Sequence, residues 1–180
     1  MYKKLLLTVF LTTALLGKEV DDFLLKAQAE VFPRIILLDT DIEKKLVDNK
    51  VLLLIAHHDD EELGRYTKEL IKTKAFKKMT GLDIEVKTVS IKDISTDMDA
   101  TAIYLVSSGR NVHKEVVDFA QKKGIISFSY VLDNLNSGLF ISLAIENRSK
   151  IYINYNTAEQ HQINMVDEIS AVTVPFNYRP

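Results

Sequence analysis

The chain has 180 residues, 47% hydrophobic and 27% charged, with 23 basic and 25 acidic side chains and a formal net charge of -2. That length suits one domain with a real core, and the near-neutral balance argues against nucleic acid as a partner. The absence of cysteine excludes a disulfide framework, so stability has to come from burial.

The chain opens MYKK, runs through the apolar stretch Leu5 to Gly17 and returns abruptly to charge at KEVDD. A basic start, a short apolar run and a small residue at its end predict a secretory signal peptide over residues 1–17, cleaved after Gly17. An uncleaved N-terminal anchor is the alternative. Loss of Lys3 and Lys4 would leave 21 basic against 25 acidic residues, a net charge of -4. The mature chain, 18–180, reads as one domain that does not itself span a membrane.

Val20, Leu24, Ala27, Val31, Ile35 and Leu38 repeat at helical spacing and predict an amphipathic helix that kinks or stops at Pro33. Thr40 and Glu43 have capping-box spacing for a short helix around Ile42 to Val47. Val51 to Ala56 is apolar throughout, as expected of a strand covered on both faces. Asp60 then suits the N-cap of a helix opening Glu61-Glu62. The stripe Leu63, Tyr66, Thr67, Leu70, Ile71 extends that helix towards Met79, with Gly81 as its stop. Further strands are expected around Ile84 to Val89, Ala102 to Val106 and Ile125 to Val131, with a helix over Val112 to Lys123.

Beyond the turn-rich DNLNSG, Leu139 to Ile145, Glu146 to Ser149 and Lys150 to Tyr155 read as an antiparallel hairpin. Short helices are expected over Thr157 to Ile163 and Met165 to Val172, followed by an extended tail. The resulting fold class is α/β: a single-domain mixed sheet of βαβ units finished by a C-terminal antiparallel hairpin, with helices on both faces.

The densest chemistry is His57-His58-Asp59-Asp60 at the carboxyl end of the Val51 strand, where open α/β sheets bind ligands. These four are candidates for ligand or metal contact; a well-capped, solvated loop is the plainer reading. Ser107, Ser108, Gly109 and Arg110 follow a second strand and are candidates for an anion-binding loop, or simply a loop. Phe140, Tyr152 and Tyr155 are candidates for an aromatic partner surface, with core or dimer packing as the alternative. Asn154 and Asn156 suit the exit from the hairpin and the cap of the next helix.

Ala56-His57-His58-Asp59-Asp60-Glu61 resembles the AHPDDE motif of the zinc-dependent LmbE/PIG-L-type N-deacetylases. That resemblance implies His57 and Asp60 as zinc ligands and Asp59 as the base activating water, a workable arrangement for metal-assisted hydrolysis. The proline of the motif is His58 here. The remaining histidines, His113 and His161, lie outside any His-rich loop that would supply a third ligand.

A second resemblance spans the mature chain. Ile126-Ser127-Phe128-Ser129, Ser137-Gly138-Leu139-Phe140-Ile141 and Ile151-Tyr152-Ile153-Asn154, followed by Ala158, are similar to the "vLTVSD", "GGmIgl" and "rFeIN" segments of the YfiR-like periplasmic regulators. The Leu25-Lys26-Ala27 helix and the Val51 to Ala56 strand correspond in order. The paired cysteines common in that family are absent, which removes disulfide-based redox control.

The YfiR-like resemblance implies a soluble periplasmic protein, often dimeric and without catalytic activity or a cofactor. Such proteins restrain an inner-membrane signalling enzyme, a diguanylate cyclase of cyclic-di-GMP signalling or a sensor kinase. The zinc hydrolase is the alternative expectation. A periplasmic small-molecule- or metal-binding protein is a third.

Overall fold

Val51 to Ala56 have no polar face, and the fold buries all six: they form most of β1 (Lys50–His57) in the interior of a seven-stranded sheet. The computed structural model describes residues 20–107 and 114–176. The expected signal peptide, the loop residues Ser108, Gly109 and Arg110, and His113 lie outside the described residues.

The other strands are β2 (Asp83–Ser90), β3 (Ala102–Val106), β4 (Ile126–Ser129), β5 (Ile141–Ile145), β6 (Ser149–Ile153) and β7 (Thr173–Pro175). They lie side by side in the order β2-β1-β3-β4-β5-β6-β7. Pairing is parallel from β2 to β5, antiparallel between β5 and β6, and parallel again between β6 and β7. The expected mixed sheet with a C-terminal antiparallel hairpin is therefore the observed fold. Because β1 has β2 on one side and β3 on the other, the chain reverses its direction of progress across the sheet at β1/β3, a topological switch point.

Helices cover both faces. On one side α1 (Asp22–Ile36), α3 (Glu61–Leu70) and α4 (Thr73–Thr80) pack over Val51, Leu53, Ile55, Tyr104 and Phe128. On the other, α5 (Lys114–Lys123) packs over Leu52, Leu54, Ile103 and Leu105 through Val116, Phe119 and Ala120. The period-2 alternation of the strands divides the core into these two layers. Edge strand β2 buries Ile84, Val86 and Val89 but leaves Glu85 and Lys87 exposed as a 3.0 Å ion pair. Charged side chains on an open edge disfavour pairing with another chain.

Several boundaries differ from expectation, each for a local reason. Helix α1 runs through Pro33 to Ile36; Pro33 sits in its last turn, buried, and forfeits one backbone hydrogen bond without ending the helix. Its buried face is Leu25, Gln28, Ala29, Phe32, Pro33, Ile35 and Ile36; of the expected stripe Ile35 is buried, while Val20, Leu24, Ala27, Val31 and Leu38 pack half-buried at the core's margin. The side-chain amide of Gln28 donates to the Tyr130 (3.2 Å) and Leu143 (2.8 Å) carbonyls, and the Tyr104 hydroxyl donates to Gln28 Oε1. Beside this network the Phe32 ring stacks on Phe128 at 4.4 Å and meets Tyr104 edge-on at 5.0 Å.

The short helix α2 (Ile42–Lys45) is preceded by Asp41 as N-cap, not Thr40, and has no side-chain capping bond. The single helix expected from Leu63 to Met79 is two, because Ile71 turns extended (ψ 112°) and buries its side chain before α4 starts. Gly81, at φ 78°, ends α4 as expected. The expected last helix is a 3-10 turn, Asp167–Ala171, and the following residues add β7 to the sheet. Helix α6 (Tyr155–Gln160) starts where Asn154 accepts the Thr157 N–H at 3.2 Å, the capping role expected of it. Among the described residues no helix is long and apolar enough to cross a membrane.

Candidate functional site

The His57 to Asp60 turn lies at the carboxyl end of β1, beside the ends of β2 and β3 at the switch point. His57 pairs in register with Ser90 and Val106, and its ring is buried against α3. A Cβ on Gly64 would sit 2.8 Å from His57 Cδ2 and 3.3 Å from Cγ, so glycine is what allows this contact. His57 Nδ1 lies 3.2 Å from the His58 carbonyl. A carbonyl can only accept, so in this contact Nδ1 carries a proton and donates it.

The next three residues are engaged close by. His58 Nδ1 is 2.7 Å from Asp59 Oδ2, while Lys92, from the 3-10 turn Ile91–Asp93, donates to Asp59 Oδ1 at 2.6 Å. The Asp59 carboxylate holds the Lys92 ammonium above the usual lysine range. Asp60 accepts the Leu63 N–H at 2.8 Å and its carbonyl takes the Gly64 N–H at 3.2 Å, so it works as the cap of α3. Glu61 and Glu62 sit in the first turn at the positive end of the helix dipole.

Chemically, the turn offers one buried imidazole at a strand end and an exposed carboxylate held between an imidazole and an ammonium. Among the described residues no three His, Cys, Asp or Glu side chains gather to hold a metal ion. His161 is far along the chain, at the end of α6, and buried. The sequence had no means of pointing to Lys92, which comes from 33 positions beyond Asp59.

Of the anion-loop candidates, Ser107 follows β3 and is half-buried; Ser108, Gly109 and Arg110 are outside the described residues. The aromatic candidates separate. Phe140 is wholly buried in the core, its N–H bonded to Ser127, so it is no part of an exposed partner surface. Its place just before β5, with apolar neighbours on both sides, is what buries it. Tyr152 is half-buried, donating to Glu146 at 3.1 Å and meeting Phe176 edge-on at 6.5 Å. The Tyr155 hydroxyl lies 3.3 Å from that of Thr173.

Two solved structures share the fold. The ABC domain in complex with L-Trp from Streptococcus pneumonia is similar with a TM-score of 0.52 at 16% identity, over 78% of this chain and 61% of that one. A conserved domain protein from Vibrio cholerae O1 biovar El Tor is similar with a TM-score of 0.50 at 15% identity, over 75% of this chain and 57% of that one. The chain thus spans about three fifths of each, and at this identity the likeness is one of fold. No family model and no curated protein matches the sequence.

Proposed function

We propose that this is a periplasmic regulatory protein that acts by binding and restraining an inner-membrane signalling enzyme, a diguanylate cyclase or a sensor kinase. The observation that carries the reading is where the residues of the YfiR-like resemblance fall. They are the joints of the C-terminal half. Gly138 stands at φ 102° where the chain leaves a 3-10 turn, a conformation that favours glycine. Asn154 ends the hairpin, caps α6 and donates to the Leu135 carbonyl at 2.7 Å. Ser127 and Ser129 bond the segments that lead from β4 into β5: Ser127 takes the Phe140 N–H, and the Ser129 carbonyl accepts from the Ser142 hydroxyl at 2.9 Å.

Residue types that recur because the backbone needs them are what shared architecture leaves in a sequence. The His57 to Asp60 turn fits the same reading, since its groups are engaged with one another and with the start of α3. The test is capture. Mature protein immobilised as bait in detergent-solubilised envelope should retain a membrane-anchored cyclase or kinase, and adding it to that enzyme should lower its output. Recovery of no such enzyme overturns the proposal.

A second reading, a small-molecule-binding protein, is favoured by the switch point at β1/β3 and by the L-Trp held by the Streptococcus domain. The chain has no Trp, so indole fluorescence on adding L-Trp reports the ligand alone. An unchanged emission spectrum removes this amino acid as the ligand.

A further inference from the structure

A groove of about 440 Å³ runs between α1 and the junction of α3 and α4. Its floor is apolar: Ala29 and Pro33 from α1, Ile71 from the break between helices, and Phe76 and Met79 from α4. Ile71 and Phe76 are nearly closed off, whereas Met79 is 55% exposed, so the apolar strip opens to solvent on the α4 side. Phe23, 69% exposed, lies three positions before the lining Lys26 on α1.

Charge distinguishes the two walls. On α1, Lys26 pairs with Asp22 at 2.6 Å and Arg34 with Glu30 at 3.2 Å, so that wall is internally neutralised. The opposite wall is not. From residue 65 to 78 the chain carries Arg65, Lys68, Lys72, Lys74, Lys77 and Lys78 against the single carboxylate Glu69, in a protein whose net charge is -2. Arg65 pairs with Glu62 and Lys77 with Asp83, but Lys72, which lines the groove, and Lys78, three positions on from the lining Ala75, have no ion pair among the described residues.

We infer that this groove docks an acidic amphipathic helix of a partner protein. Apolar side chains at helical spacing would fill the strip from Pro33 to Met79, and carboxylates on their flank would meet Lys72 and Lys78. A lipid surface is flat and would leave the concave floor unfilled. A second copy meeting groove to groove would bring these lysines together. The inference rests on the reading that the protein works by binding a protein partner, and it assigns the surface and the chemistry of what binds there.

The experiment uses a fluorescein-labelled, helix-forming peptide with Leu at every third and fourth position and Glu elsewhere. Its counterpart has Lys in place of Glu, and the third probe is a vesicle of phosphatidylglycerol and phosphatidylcholine. The acidic peptide should bind at least tenfold more tightly than the basic one, weakening as salt rises. Lys72→Glu with Lys78→Glu should invert that ranking, and Met79→Glu should weaken the acidic peptide tenfold or more. All three positions are exposed, and an unchanged melting temperature confirms that the variants fold.

No binding of the acidic peptide, equal affinity for both peptides, or indifference to the substitutions overturns the inference. Sedimentation with vesicles in place of peptide binding also overturns it and assigns the face to lipid. If the variants still retain the membrane enzyme as well as the parent protein, the groove is wrong and the regulatory reading stands. If no form retains such an enzyme, the regulatory reading itself has failed.

Discussion

The His57 to Asp60 turn and helix α1 distribute their chemistry in opposite ways. The turn holds four polar residues in succession, and most of their hydrogen-bonding capacity is spent within a few residues: His57 on the His58 carbonyl, His58 on Asp59, Asp60 on the start of α3. Helix α1 holds a single buried polar side chain, yet Gln28 bonds to groups 102 and 115 positions away and ties the helix to three strands' worth of sheet. Polar density in a sequence therefore marks where chemistry is concentrated. It does not mark where capacity remains for a ligand or where the fold depends on a polar contact.

Truncation of Gln28 should give the largest effect and tests the α1 side of this contrast. Gln28→Ala strands two buried carbonyls and the Tyr104 hydroxyl and opens a cavity beside Phe32. The expected cost is about 3–5 kcal/mol, which for a domain of this size lowers Tm by roughly 10 °C or more. Thermal and urea melts check it. A loss under about 1 kcal/mol would show that the network is dispensable and that α1 is held by apolar packing alone.

The turn is broken next, through Gly64. Alanine in a helix is ordinarily favoured over glycine by about 1 kcal/mol, but here the added Cβ runs into the His57 ring, so Gly64→Ala should destabilise by about 1–3 kcal/mol. In a His57→Ala background the obstacle is gone, and the same substitution should become stabilising. This change of sign, read from a double-mutant cycle of melts, identifies the ring contact as the reason for glycine. Additive effects would mean that His57 and Gly64 do not meet as described.

Asp60 gives a smaller effect and separates a cap from a metal ligand. Asp60→Ala should cost about 0.5–2 kcal/mol, and Asp60→Ser should recover most of it because a hydroxyl also accepts the Leu63 N–H. A zinc ligand behaves otherwise. If Asp60→Ser loses stability only when zinc is present in the parent protein, the metal reading gains and the capping account fails.

What could be read from the sequence follows the same division. Strand β1, the Asp60 cap, the Gly81 stop and the C-terminal hairpin are written in short-range patterns, and each was legible. The break at Ile71 was not: no Gly or Pro marks it, and only the burial of Ile71 and Phe76 against the sheet explains it. For Phe140 the sequence left partner surface and core packing both open, and only its place in the sheet decides for the core. The replacement of the last helix by a 3-10 turn and β7 depends on the exposed side of β6 accepting another strand. At the candidate site, the turn was visible and Lys92 was not, because an ion pair across 33 positions leaves no local spacing. The groove's basic edge was present in the sequence as Lys72 and Lys78, but its apolar floor exists only once α1 and α4 are side by side.

The smallest expected effect concerns the histidine outside the turn. His161 is 2% exposed and its Nδ1 has no hydrogen-bond partner among the described residues; burial lowers its pKa below the usual 6.5. A neutral imidazole is therefore favoured in the folded state, while in the unfolded chain the ring takes up a proton near its ordinary value. The unfolded state then binds more protons as pH falls, so this contribution to stability is present in full above pH 6.5 and is lost as pH drops from there through the lowered folded value. Urea melts across that range should show stability declining towards acid, and His161→Gln, which cannot titrate, should flatten the decline. A slope that persists in His161→Gln assigns the proton uptake elsewhere. A flattened one makes the isolated buried histidine, rather than the cluster of polar residues at the end of β1, a group through which the fold responds to acid.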